Sequence, residues 1–430
     1  MGIYYDSKRN TFTIDTKNTR YTFQIVYGKF PVHLYYGDKE TAPDGEFVCK
    51  PFSFAPFYKE YHVSYLPDYC LGEYNGFDSG DYRSYSLKIK NSNGDSCTVL
   101  KYKDYRIFKG RLQLDGLPFA DTDDRTETLE ITLSDEVTDI CVKLYYTVYE
   151  AEDVISRYVS IKNNGKENVV IEKCMSLMLD LPDHNYDMVT LYGGSKRERN
   201  YQRVPLHYGS QSVFSRRGFS SHHFNPFIAL CERGSTQTSG KVYGFNFVYS
   251  GNFLDEVEVD QHGFARVQVG LGSENFSWKL KPCEKFVSPE AVMTFSNRGI
   301  GKMTRNFHSF TRNFILPSEP FEIRPVLINP WEAVRFDIDE KLMLDFAKNA
   351  KESGIDMLVM DDGWFGERNS SHAGLGDWYV NKDKFKNGLK SFVLKVKEYG
   401  IKFGIWIEPE MINEDSELYR AHPEWCIQCK

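Results

Sequence analysis

From residue 1 to about residue 320, apolar and polar positions alternate in short runs. Examples are Tyr21-Thr-Phe-Gln-Ile-Val-Tyr27, Ser86-Leu-Lys-Ile-Lys90, Leu129-Glu-Ile-Thr-Leu133 and Val142-Lys-Leu-Tyr-Tyr-Thr-Val148. Tyr158–Lys162, Tyr243–Tyr249 and Ala265–Gly270 repeat the pattern. A period of two, broken by Gly, Asn, Asp and Pro, predicts antiparallel strands, here a large sandwich. Residues 301–314 predict a linking helix. The pattern changes after Pro317. Pro325-Val-Leu-Ile-Asn329 reads as a buried strand. Asp337-Ile-Asp-Glu340 offers a capping carboxylate with a glutamate three residues on. A helix follows, with Leu342, Phe346 and Ala350 on one stripe and Gly354 as its stop. Met357–Met360 reads as a second strand. Leu389, Phe392, Val393 and Val396 mark a second helix, ended by Gly400. Lys402–Glu408 is the third strand. Strand, helix, strand, helix, strand with short returns is the β/α repeat of a parallel sheet or barrel.

The domain boundary therefore falls near 320, with a large antiparallel β-sandwich over 1–320 and β/α units over 321–430. An eight-strand barrel needs roughly 250 residues. The stretch after Arg324 holds three β/α units, so the barrel is expected to be incomplete in this chain. Residues 361–386 separate the second strand from its helix, far beyond the usual two to six. Loops after parallel strands carry function, so this length points to a site.

The centre of that region is Met357-Leu-Val-Met-Asp361-Asp362-Gly363-Trp364. An apolar run ending in two carboxylates, a glycine and a tryptophan suits a strand delivering its last residues into a site. Adjacent strand residues point in opposite directions, so Asp361 and Asp362 are badly placed to act as a facing carboxyl pair. They are suited to accepting hydrogen bonds from ligand hydroxyls. A plain Asp-Asp-Gly turn is the structural alternative.

Composition narrows the classes. The 430 residues carry 53 Lys plus Arg and 60 Asp plus Glu, a net charge of -7. No basic patch stands out, which argues against nucleic acid as a partner. Aromatics make up 15% of the chain, with 28 Tyr and 31 Phe. They suit sheet packing and also surfaces that stack on sugar C–H faces. Nine cysteines form no framework. The residues after Met1 show no apolar signal segment, and no run suggests a membrane span, so a cytoplasmic location is expected. Cys426 and Cys429 form a lone CxxC without a partner pair, and no metal or cofactor is expected.

Several motifs together resemble one family. They are Arg324-Pro-Val-Leu-Ile-Asn-Pro-Trp-Glu-Ala333, Asp361-Asp-Gly-Trp-Phe-Gly366, Leu375-Gly-Asp-Trp378 and Phe403-Gly-Ile-Trp-Ile-Glu-Pro-Glu-Met411. Ser416–Trp425 continues them, and Gly80–Arg83, Arg197–Arg199 and Ser215–Ala229 extend them toward the N-terminus. They resemble the bacterial α-galactosidases of glycoside hydrolase family 36, over nearly the whole chain. The resemblance implies a β-supersandwich, a (β/α)8 catalytic barrel and a small C-terminal β-domain. It implies retaining hydrolysis of terminal α-galactosides such as melibiose and raffinose, without a cofactor, commonly in homotetramers. The family's catalytic aspartates lie in a KWDMN-type strand and a later Cys/Gly-rich segment. Neither occurs in residues 1–430, so no catalytic residue is expected in this chain.

Implied substrate-binding residues are Asp361, Asp362, Trp406, Trp331 and Asp68. Trp406 lines the sugar pocket in the family, with a core aromatic as the alternative. Trp331 would stand at the rim or pack. Asp68 matches a sandwich aspartate that family tetramers lend to a neighbouring subunit's site, or is a loop acid. Arg83 is expected to make a structural salt link near the same edge. Glu408 and Glu410 fit ligand contact or a solvated helix start. Trp364 and Trp378 wall the pocket or order the long loop. The sequence departs from the family at Gly193-Gly-Ser-Lys196, where a pocket tryptophan is usual, and at Pro330, where asparagine is common. Rival functions are an α-N-acetylgalactosaminidase or transglycosylase, or a non-catalytic galactoside-binding or assembly subunit.

Overall fold

The computed structural model describes residues 2–47, 65–274, 276–316 and 323–428. It divides into two units, Met1–Pro317 and Ser318–Lys430.

Every alternating run named above lies in an antiparallel strand of the first unit. Ile3–Asp6, Thr11–Asp15, Thr19–Val26 and Phe30–Asp38 form a four-stranded meander. A ten-stranded sheet runs from Arg197–Pro205 at one edge to Lys101–Lys109 at the other. A six-stranded sheet is built around Val169–Leu181 and Ala265–Leu271. Alternation decides which residues meet: Phe12, Ile14, Leu129, Ile131, Val142, Leu144, Leu177 and Val267 join one core drawn from all three sheets. The family-level expectation of an N-terminal sandwich holds.

The helix expected over 301–314 spans Gly299–Phe310 and runs on as a wider π-helical turn, Thr311–Ile315. Met303, Phe307, Phe310 and Phe314 pack with Val242, Val292 and Tyr149. The helix lies directly on the sheet at Gly244, where an added Cβ would come within 2.7 Å of the Phe307 ring.

One core strand carries an anomaly. In Phe253–Val259, Phe253, Asp255, Val257 and Val259 are all buried. Neither Asp255 carboxylate oxygen finds a hydrogen-bond partner. Desolvation pushes this carboxyl well above its ordinary range. A folded state that keeps the proton while the unfolded chain releases it loses stability as pH rises above the unfolded value, about 4. The slope is about 1.4 kcal/mol per pH unit up to the folded value. Asp255→Asn removes the ionisation and is expected to gain on the parent as pH rises above about 4. Urea unfolding at several pH values reads this directly, and parallel curves for the two proteins would refute it.

In the second unit, Leu327–Ile328, Met357–Met360 and Lys402–Ile405 form a parallel sheet in chain order. Helices Glu340–Glu352 and Gly388–Glu398 follow the first two strands. Four details differ from expectation. The first strand, expected to be buried over 325–329, is two residues long, with Leu327 exposed and Ile328 half-buried. The helix cap is Asp339, which accepts from the Leu342 N–H at 2.8 Å, rather than Asp337. The fully buried stripe is Met343, Ala347 and Ala350, with Leu342 and Phe346 flanking it half-buried. The third strand ends at Ile405, so Trp406 lies just beyond it. Leu358 and Met360 pack beneath the helices with Phe392 and Val396.

Candidate substrate-binding site

Side-chain parity along the middle strand separates the two aspartates. Leu358 and Met360 are buried, whereas Met357 and Val359 are half-exposed on the other face. Continued past the strand end, this alternation puts Asp361 on the open side and Asp362 on the covered side. Asp361 is half-buried. Its Oδ2 accepts from the Asn329 amide and its Oδ1 from the Asp362 N–H at 2.7 Å. Acceptor capacity remains for a ligand hydroxyl, since a carboxylate offers about four lone-pair sites.

Asp362 is different. It is 5% exposed. Its Oδ1 accepts from the Gly363 N–H at 2.7 Å and Arg368 Nε at 3.0 Å. Its Oδ2 accepts from Arg368 Nε at 3.0 Å and Nη2 at 2.8 Å. Both acids are expected from the sequence to bind substrate; in the structure Asp362 is held by a bidentate ion pair that fills its acceptor sites, whereas Asp361 keeps acceptor capacity.

Arg368 went unnoticed in the sequence because nothing local distinguishes it from a solvated loop cation. Its remaining Nη1 donates to the Ala373 carbonyl at 3.0 Å and Asn413 Oδ1 at 2.9 Å. Lys384 was missed for the same reason. Its Nζ donates to the carbonyls of Phe336 and Gly363, each at 2.9 Å. Desolvation pulls the Lys384 ammonium below its ordinary range. Gly363, at φ +99°, has Phe336 Cα 3.2 Å from where a Cβ would stand. Two cations thus tie the long loop to itself and to its neighbours, which explains how the segment over 361–387 holds its shape around Asp361.

Aromatic rings complete the loop's packing. Trp364 and Phe365 are buried, and Trp378 sits 4.4 Å from Phe365 between ring centroids. Trp406, half-buried, lies 6.4 Å from Trp378, and its carbonyl accepts from Trp364 Nε1 at 3.0 Å. Trp364 and Trp378 therefore order the loop. Trp331 is half-buried, opens a one-turn helix after the first strand, and packs edge-on to Phe336 at 5.0 Å. Asp377 of the Leu375–Trp378 motif accepts from the Glu417 and Leu418 N–H groups, so it serves the following helix. Glu408 is half-buried. Desolvation, then the charges of Glu410 and Asp362, raise its carboxyl above the ordinary range.

Asp68 belongs to the first unit, on the turn Pro67–Tyr69. It is half-buried, with Oδ1 accepting from the Tyr82 N–H and Oδ2 from the Gln261 amide, both at 3.2 Å. Arg83 fixes this turn by donating to the carbonyls of Pro67 at 3.0 Å and Cys70 at 2.7 Å. Arg83 also pairs with Asp81 at 2.8 Å, inside a buried network with Arg266 and Asp180. The expected salt link near Asp68 is present. Cys429 lies outside the described residues, so the CxxC pair is not described. Among the described residues no group of three or more His, Cys, Asp or Glu is arranged for a metal ion.

Acids and tryptophans gathered past the C-terminal ends of parallel strands are the makings of a carbohydrate site on β/α units. Comparison with known proteins identifies the lineage. The glycosyl hydrolase family 36 N-terminal domain matches residues 29–281, and the melibiase family matches residues 285–430. The chain belongs to glycosyl hydrolase family 36. It is 43% identical over 434 residues to the bifunctional alpha-galactosidase/sucrose kinase AgaSK of Mediterraneibacter gnavus, covering 100% of this chain and 46% of that protein. The crystal structure of alpha-galactosidase AgaB from Geobacillus stearothermophilus superposes with a TM-score of 0.95 at 39% identity, over 100% of this chain and 60% of that one. A variant of alpha-galactosidase AgaA from the same organism, solved in complex with raffinose, gives a TM-score of 0.94 at 39% identity, over 97% and 59%. This chain thus spans about half to three fifths of the length of these relatives.

Proposed function

We propose that the full-length protein hydrolyses terminal α-galactosides of the melibiose and raffinose type, and that this chain supplies part of its sugar pocket. The observation carrying the proposal is the open Asp361 carboxylate past the middle parallel strand, with Trp406 on the adjoining strand end. A charged acceptor beside an aromatic face suits a hexose, which offers hydroxyls at its edge and C–H groups on its ring faces. Asp362 acts by holding the turn that presents Asp361. Trp331 stands at the rim. The nucleophile and acid/base belong to the part of the family's length that this chain does not span, and work as a retaining carboxylate pair. Asp68 completes the site of a neighbouring subunit in a homo-oligomer. Nine cysteines scattered without a framework fit a reducing, cytoplasmic setting. No helix among the described residues is long and apolar enough to cross a membrane.

The full-length protein is expected to cleave p-nitrophenyl α-galactoside in preference to the α-glucoside. Faster cleavage of the glucoside would overturn the sugar assignment. Asp361→Asn keeps the shape but removes the charged acceptor. It should cost about 2 kcal/mol of transition-state binding, roughly thirtyfold in kcat/KM. An unchanged kcat/KM would remove Asp361 from the pocket.

A further inference from the structure

A cavity lined wholly by residues of the first unit has no part in the proposed pocket. It encloses about 620 Å³. That volume falls within the range of small-molecule sites, about 300–1,000 Å³. Five rings line it: Tyr158, Tyr249, Phe276, Trp278 and Phe286. Trp278 is 49% exposed, an unusual position for the costliest apolar side chain, and it leans on Phe286 with ring centroids 5.4 Å apart. Backbone walls at Gly116 and Gly218 leave open space where side chains would otherwise project.

The charged lining residues are Lys285, Asp115 and Glu274, and with the Arg216 that pairs with Glu274 the four charges balance. Asn252 adds an amide, although its Oδ1 already accepts from the Gly218 N–H. Tyr158 supplies the sharpest clue. It lines the cavity, is 2% exposed, and stacks on Tyr145 at 4.3 Å. Its hydroxyl is buried and has no hydrogen-bond partner. A native structure leaves few such groups, and each calls for a partner. Exposed rings, amides and an unpaired hydroxyl, without net charge, match a ligand with apolar faces and many neutral hydroxyls.

We propose that this cavity is a second carbohydrate-binding site in the sandwich unit, taking a neutral oligosaccharide. Trp278 and Tyr249 stack on sugar faces, and the Tyr158 hydroxyl bonds a ligand hydroxyl. The site holds oligosaccharide near the enzyme without contributing to bond cleavage. Its existence stands apart from the α-galactosidase reading, because it needs no residue of the β/α unit.

Stachyose binding to the full-length protein tests it. Titration should show two sites per chain on a background of Asp361→Asn, which weakens the barrel site. Trp278→Ala should weaken the second site about tenfold or more and leave kcat/KM on p-nitrophenyl α-galactoside unchanged. Tyr158→Phe, which alters no packing volume, should weaken the same site several-fold. A single site whose affinity is untouched by both substitutions overturns the proposal, as does occupation of the cavity by a second copy of the chain, seen as protection of Trp278 from quenching on self-association. Loss of hydrolysis with an intact Trp278-dependent site would count against the catalytic reading alone.

Discussion

Arg368→Met is expected to destabilise the β/α unit by about 3–5 kcal/mol and to abolish turnover of the full-length protein. The reason is an uncompensated charge. Asp362 is 5% exposed and takes three of its four hydrogen bonds from this guanidinium. Removing one partner of a buried pair leaves the other charged and desolvated, which costs about 3–5 kcal/mol. The same substitution removes the donor to Asn413 Oδ1 and the Ala373 carbonyl, so the loop loses one of its ties to the segment after the third strand. Asp361 directly precedes Asp362 in the backbone and would lose its fixed direction. Arg368→Lys is a sharper comparison. It keeps the charge but cannot donate in a fork, so it should recover part of the stability and little of the activity. Thermal unfolding and kcat/KM measured together decide the matter. A variant with full activity and an unchanged Tm would show that the ion pair is incidental.

Arg266→Met in the sandwich is expected to cost a similar amount, about 3–5 kcal/mol at pH 7. Arg266 is 1% exposed and donates to Asp180 twice at 2.7 Å and to Asp81 at 2.8 Å. Burial opposes the charged form of both acids, yet Arg266 and then Arg83 hold their carboxyls below the ordinary range. A depressed folded value gives stability that is complete above the unfolded value near 4 and is lost as pH falls through the folded value. The penalty of the variant should therefore shrink below pH 4, where protonation relieves the stranded carboxylates. Urea unfolding at pH 7 and pH 3.5 tests the sign. A penalty that is small, or that grows in acid, would contradict it. Arg83 links this network to the Pro67–Tyr69 turn, so oligomer-dependent activity attributed to Asp68 should fall with it.

Much of the architecture was legible because it depends on short-range pattern. Alternation along Leu129–Leu133 or Val142–Val148 specifies a strand with one buried face whatever its partners are. The switch after Pro317 to apolar runs separated by helical stripes specifies parallel β/α units. Helix ends were legible where glycine marks them, at Gly354 and Gly400. The cap was misplaced by two residues because Asp337 and Asp339 are chemically equal, and only the chain path selects between them.

The candidate site was legible as a place and not as a set of roles. An apolar strand ending in Asp361 and Asp362, followed by an over-long loop, was visible from residue order alone, and so was the family resemblance. Which of the two acids stays open was decided by tertiary structure. One face of the sheet is covered by helices, and parity along Met357–Met360 turns Asp362 toward it. The cation that neutralises Asp362 comes from within the loop, and Lys384 gathers carbonyls from segments far apart in sequence. Ion pairs and carbonyl clamps of this kind depend on where folded segments meet, and residue order carries no local signal of that meeting. Secondary structure follows from periodicity, which each short segment carries by itself, whereas charge pairing is a property of distances that exist only once the chain has folded.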